Sequence, residues 1–272
     1  MLNYQEYIPS EGLRSYVKCY YVYENDAHHL VDDKAFATGC VEMMFNLDGA
    51  QWQTPANGEF TQTSKIELWG QILQPLPLRL SGKSCMLGIR FHPFGAALFL
   101  HEEISLFNDQ VIDLRALMGK EIEDLYAMLQ EARTITKRLE LIENFLLGRL
   151  SLFARRNEKT LLVKLVMNEM TRDDFFDNIE NVAARYGITS RYLQKIFLQY
   201  TGLTPKLYSK INRFQKSLVL VGRGDLSLTA IAYQSGYFDQ SHFIREFRLF
   251  TGMKPSGFDG ENSSAVLASP NK

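Results

Sequence analysis

From Asn178 to Phe258 apolar residues recur at steps of three and four, interrupted by glycines and small polar residues. That spacing predicts a run of amphipathic helices. Two stretches of the run share one plan. Val182-Ala183 answers to Ile231-Ala232 and Gly187 to Gly236, each pair 49 residues apart. After one extra residue in the second turn, Leu193, Lys195, Phe197, Thr201-Gly202 and Pro205 answer to Phe243, Arg245, Phe247, Thr251-Gly252 and Pro255, now 50 apart. Matches persist at apolar positions, glycines and the proline while most residues between them differ, as expected of a duplicated scaffold with two separately chosen surfaces.

Each copy reads as helix, tight turn, helix. In the first, Asn178 caps one helix, Gly187 follows its end and Thr189 caps the next; in the second, Ser227, Gly236 and Asp239 hold these posts. Ile188, Leu193, Ile196, Phe197 and Tyr200 form one inward stripe and leave Arg191, Gln194 and Lys195 outside. Phe243, Phe247 and Phe250 form the other and leave Gln240, Ser241, His242 and Arg245 outside. Glycine at each turn allows the positive φ that sets the bearing of the second helix. Between the copies, Thr204 and Pro205 open a helix whose apolar positions are Leu207, Ile211, Phe214, Leu218 and Val221. This single helix fixes the separation of the two units. Outward helices rigidly held about 34 Å apart match the pitch at which duplex DNA repeats its major groove.

The first half has a different rhythm. Residues 39–49, 65–73 and 84–93 are short apolar stretches bounded by Gly, Pro, Asn and Asp, which predicts strands. A helical signal begins after Pro93, and the chain from Asp113 to about Phe153 reads as helical. There Ile135, Leu139, Ile142, Leu146, Leu150 and Phe153 make a stripe suited to docking on the β-rich part or to pairing with another protomer. The expected fold is α+β: a β-rich, barrel-like N-terminal domain with flanking helices over 1–153, and an all-α domain with two helix-turn-helix units over 158–258. Residues 259–272 read as a disordered tail, and the domain boundary falls within 151–159.

Charge changes the picture. The net charge of −1 conceals two unlike halves: residues 181–258 hold 11 Lys/Arg against three Asp/Glu, leaving 19 basic and 28 acidic residues elsewhere. A segment at +8 beside a remainder at −9 is the pattern of one domain that meets a polyanion and one that does not. No apolar run is long enough for a membrane span, and the N-terminus has no signal-peptide pattern, so the expected location is the cytoplasm. Cys19, Cys40 and Cys85 are scattered and odd in number, which fits reduced thiols, and no C-x-x-C pair suggests zinc. No hydrolase, metalloprotease or P-loop motif is present, so neither an enzyme nor a cofactor is expected. His28-His29 and His92 are isolated histidines, for which a structural or exposed position is the simpler reading.

Ala183, Gly187, Leu193, Phe197, Gly202 and Pro205, then Ile231-Ala232, Gly236-Tyr237, Ser241, Phe243, Phe247, Thr251-Gly252 and Pro255, resemble the DNA-binding domain of AraC/XylS-type transcription regulators. The stretch IAYQSGYFDQSHFIREFRLFTGMKPSGF carries most of the likeness. The resemblance implies a seven-helix domain whose third and sixth helices enter the major groove of double-stranded DNA. By position it implies base contacts from Arg191, Gln194 and Lys195 and from Gln240, Ser241, His242 and Arg245. Lys206, Lys210, Arg213 and Lys254 would meet phosphates. Lys195 stands where the family often has arginine, which removes a planar bidentate contact.

In the first half, YVKCYYVYE, GCVEMMFNL, WGQ and LGIRFHPFGAALFL resemble a sensor domain of some AraC-type regulators. Glu42, Trp69, Gln71, Arg90 and His92 are the candidate ligand contacts there, set against the simpler reading that Glu42 and Arg90 pair with each other or point to solvent. Candidate partners are a small-molecule effector, RNA polymerase and a second copy of the chain. Two alternatives stand beside gene regulation: a module that docks an acidic protein, and a DNA-lesion responder using cysteine chemistry, for which a cysteine-rich zinc cluster is missing.

Overall fold

Alternation of side chains along short β-branched and aromatic runs builds the first half. The structure is a computed structural model and describes residues 2–25, 30–56, 58–100, 102–152, 157–171 and 178–258. Six strands form one antiparallel sheet in the order β1 (Leu2–Tyr7), β2 (Val17–Asn25), β9 (Ser84–Phe91), β4 (Glu42–Gly49), β7 (Ile66–Trp69), β10 (Val111–Asp113). Four more form a second sheet: β3 (Leu30–Ala35), β8 (Leu76–Ser81), β5 (Gln53–Ala56), β6 (Glu59–Gln62). The expected barrel-like domain is therefore a pair of sheets that do not close among the described residues.

The larger sheet buries both faces. Met43, Phe45, Leu68, Leu87, Ile89 and Phe91 turn toward the helices. Tyr23, Met44, Trp69 and Met86 turn toward the second sheet and meet Trp52, Leu78 and Leu80. Gly88 sits mid-strand because a Cβ there would lie 2.1 Å from the ring of buried Tyr21. That ring belongs to a charged cluster. Arg90, 1% exposed, donates from Nε to Glu42 at 2.8 Å and from Nη1 to the Tyr4 hydroxyl at 3.3 Å, while the Tyr21 hydroxyl donates to Glu42. The Glu42–Arg90 pair thus takes the simpler of the two expected roles.

Glu67 is the opposite case, a carboxyl on the same inner face whose neighbours are hydrogen-bonding rather than cationic. It is buried, Trp69 Nε1 lies 2.5 Å from one of its oxygens, and the Thr63 hydroxyl contacts the other. Thr63 Oγ1 also donates to the Trp52 carbonyl at 3.1 Å, so a protonated Glu67 satisfies the triad by donating to Thr63. Burial pushes its pKa up to about 7 from 4.5, against the two side-chain hydrogen bonds. A raised carboxyl pKa means that stability present below about pH 4.5 is lost as the pH climbs through 7. Glu67→Gln keeps the shape and both bonds; relative to the wild type it is expected to gain up to about 3 kcal/mol between pH 5 and 8. Denaturant melts across that range check it, and parallel pH profiles for the two proteins would rule it out.

Helical signal over 113–153 resolves into α1 (Arg115–Met118), α2 (Lys120–Glu131) and α3 (Ile135–Leu152). The α3 stripe faces inward: Ile142 and Leu146 are buried, and Arg149 donates to the Phe99 carbonyl at 3.0 and 2.8 Å. Docking on the β-rich part is thus its role in this chain; Phe153 lies outside the described residues, as do His28-His29, residues 153–156 of the 151–159 boundary and the 259–272 tail. After Pro93 the expected helix is only a 3-10 turn, Ala96–Leu98. The second half contains α4 (Asn157–Met170), α5 (Ile179–Arg185), α6 (Ser190–Thr201), α7 (Pro205–Arg223), α8 (Leu228–Gln234) and α9 (Gln240–Thr251), closed by a 3-10 turn at Pro255–Gly257. One apolar core runs without a break from the helix-facing side of the larger sheet into these helices. Among the described residues no helix is long and apolar enough to cross a membrane.

Candidate nucleic-acid interface

Local chemistry sets both helix-turn-helix units in the same way. Asn178, Thr189, Thr204, Ser227 and Asp239 each accept a hydrogen bond from a backbone N–H in the first turn of the helix that follows. Gly187 and Gly236 have φ of 66° and 80°, and the next amide returns to Ala183 and Ala232 at 3.1 and 2.9 Å. Around Gly187 there is open space, so the requirement there is the left-handed backbone and not a lack of room. The ends match too: Thr201 and Thr251 donate to the carbonyls of Phe197 and Phe247 at 2.7 and 2.8 Å, ahead of Gly202 and Gly252. Duplication inferred from the sequence is thus repeated bond for bond.

The inward stripes are buried as expected, apart from half-buried Ile188. Phe214 of α7 anchors the second unit, its ring 4.9 Å from that of Phe250 and 5.8 Å from that of Phe247. At a rise of 1.5 Å per residue the 19 residues of α7 span about 28 Å, the right order for joining units that address successive grooves. Outside, Arg191, Gln194, Lys195, Ser241, Arg245 and Arg248 are exposed. Gln240 is half-buried and accepts from the Thr229 hydroxyl at 2.8 Å.

A buried acid lies beneath the second row. Glu246 is 4% exposed, with Arg213 Nη2 at 3.3 Å, Lys210 Nζ at 3.4 Å and His242 Nε2 at 3.2 Å. The Arg213 guanidinium also lies 5.4 Å from the Tyr237 ring centre. Three of the residues expected to meet DNA therefore converge on one carboxylate that sequence reading missed. The spacing of His242 and Glu246, one helical turn apart, is the signal that could have found it. Lys210, Ser241, His242, Arg245, Glu246 and Lys254 line a groove of about 780 Å³ along α9.

Of the five residues considered for a ligand, Glu42, Arg90 and Trp69 are cross-strand neighbours on β4, β9 and β7, whereas Gln71 and His92 lie outside that row. Glu42 and Arg90 are joined in the cluster above, Trp69 bonds Glu67, and His92 is stacked on Phe94 with ring centres 6.0 Å apart, its pKa lowered by burial. Gln71 lies between the two halves of the molecule. Its Nε2 donates to the carbonyls of Gly39 at 3.1 Å and Thr201 at 2.9 Å, so both of its amide protons are committed. Asn108 donates to the Gly202 carbonyl at 2.8 Å, and Ile104 packs beside the same glycine. The C-terminal end of α6 is thus clamped to the β-rich half. Around Gly252, at the end of α9, the nearest groups of that half among the described residues are the side chains of Lys34 and Pro75, and the Phe36 ring lies 6.1 Å from that of Phe258. Burial pushes the Cys19 thiol up to about 12 and raises that of Cys40, away from the thiolate that cysteine chemistry requires. Among the described residues no three His, Cys, Asp or Glu side chains form a metal cluster.

Two capped units, a connecting helix and two outward polar rows define a double helix-turn-helix domain. Residues 182–260 match the family model described as a helix-turn-helix domain. Residues 5–113 match a domain of unknown function, DUF6597. The HTH-type transcriptional activator RhaS of Klebsiella pneumoniae (strain 342) is 39% identical over 69 residues, 25% of each chain. RhaS of Escherichia fergusonii is 37% identical over 76 residues, 28% of this chain and 27% of that one. The chain thus spans about a quarter of the length of the curated relatives it matches. Among solved structures, ToxT from Vibrio cholerae aligns over 93% of this chain and 96% of its own, with 16% identity and a TM-score of 0.46. The C-terminal domain of AraT, a response regulator from Geobacillus stearothermophilus, aligns over 42% and 89%, with 22% identity and a TM-score of 0.30.

Proposed function

We propose that the chain is a sequence-specific DNA-binding transcription regulator that lays α6 and α9 into adjacent major-groove segments. The observation that carries this is the repeated bond pattern, which gives two helices the same local setting and leaves a polar, basic row exposed on each. Arg191, Gln194 and Lys195 read bases from the first unit; Gln240, Ser241, His242 and Arg245 read from the second. Lys206 and Lys254 meet phosphates, and Lys210 and Arg213 add to that field from their places around Glu246. The chain acts by binding and not by catalysis, in the cytoplasm and beside RNA polymerase. The clamp from Gln71 and Asn108 onto α6 supports the β-rich half as the seat of control, where an effector or a second protomer acts.

Selection of binding sites from random duplex DNA with the full-length protein tests the reading. A site with two blocks about one helical turn apart is expected. On it, Arg245→Ala should cost about 1–3 kcal/mol while random duplex loses less, since a base contact discriminates and a phosphate contact does not. Recovery of no preferred sequence would defeat the proposal.

A further inference from the structure

The two turns differ by a single residue, and the structure shows which one it is. Ile188 and Tyr237 occupy the same place, each following the turn glycine and returning its amide to the preceding helix. In the first unit the N-cap Thr189 comes next. In the second, Phe238 intervenes before the N-cap Asp239. Its side chain is 86% exposed, the largest exposure among the described large apolar residues recorded as exposed.

An isolated apolar residue on a surface is ordinary. Position sets this one apart. Phe238 stands three residues before Ser241 and seven before Arg245, two exposed side chains of the outward row of α9. It immediately precedes the Asp239 N-cap, exposed at the N-terminal end of α9, the end from which helix-turn-helix proteins reach base edges. The cations along this face can hold phosphates and guanines but have nothing to offer the C5 methyl of thymine. An aromatic side chain does, because apolar contact is how that methyl is told from the other major-groove groups.

Resting on the DNA-reading role proposed above, we infer that Phe238 is a specificity residue that packs against a thymine methyl at the edge of the segment read by α9. The first unit lacks the inserted residue, so the preference belongs to one block of the site only.

The test uses full-length protein and the site selected from random duplex. Each thymine is replaced in turn by deoxyuridine, which removes only the methyl group. One position, at the edge of one block, is expected to weaken wild-type binding about fourfold, the worth of one buried methyl. With Phe238→Ser the same replacement should have no effect, and thymine should no longer be selected there, while the other block is unchanged. Because the side chain is exposed, the variant should melt with the wild type. If deoxyuridine costs the two proteins the same at every position, or if Phe238→Ser keeps the wild-type preference, Phe238 does not read thymine, although the protein still reads DNA. If no sequence is selected at all, this inference falls together with the DNA-reading role.

Discussion

Raising salt from about 50 to 200 mM is expected to weaken binding to the selected duplex about a thousandfold. Among the cations exposed on the double helix-turn-helix domain are Arg191, Lys195, Lys206, Arg245, Arg248 and Lys254, and each of these six that neutralises duplex charge, beside a base or at a phosphate, frees condensed counterions. Six such contacts give a slope of about −5 in log K against log salt. Lys210 and Arg213 contribute less because Glu246 already balances part of their charge. Titrations of labelled duplex at several salt concentrations measure the slope directly. A flat response would point instead to a docking module for an acidic protein, for which apolar contact would carry more of the affinity.

Phe214→Ala should destabilise the C-terminal half by about 3–5 kcal/mol, the usual cost of removing a buried ring. Phe214 is fully buried on α7 and packs on Phe247 and Phe250 of α9, so the ring that stabilises the core also holds the second outward helix in place. Loss of specific binding should accompany the loss of stability. Leu249→Ala is the control: it lies on α9, between Phe247 and Phe250, but is about half exposed, and a surface change of this kind is expected to stay within about 0.5 kcal/mol. Equal denaturation midpoints for the two variants would contradict the packing described.

The second half was legible in the sequence because its determinants are local. A cap and the amide it accepts are three residues apart, and a turn glycine sits within one turn of the carbonyls it frees, so Asn178, Thr189, Ser227 and Asp239 could be placed without knowing the fold. The first half depended on pairing between distant strands. Polar strands such as Gln53–Ala56 and Glu59–Gln62 show no apolar alternation and were not anticipated. The barrel-like expectation failed for the same reason, since closure depends on which strands meet. Glu246 was not singled out, because the Lys210 and Arg213 side chains that gather around it lie over thirty residues earlier in the chain. Gln71 looked like a pocket group, and its partner carbonyl lies 130 residues away.

Alike as their bonds are, the two units are not interchangeable parts. The end of α6 presents the carbonyls of Thr201 and Gly202 to fitted amides, whereas the groups of the β-rich half nearest Gly252, at the end of α9, are the side chains of Lys34 and Pro75. A chimera with the copies exchanged would inherit sound caps and a sound core, yet its first unit would arrive at Gln71 and Asn108 with Met253 and Lys254 behind the glycine in place of Leu203 and Thr204. The twin units thus lean on the neighbouring sheets by different means, the first through backbone carbonyls, the second through side chains such as Phe36 against Phe258.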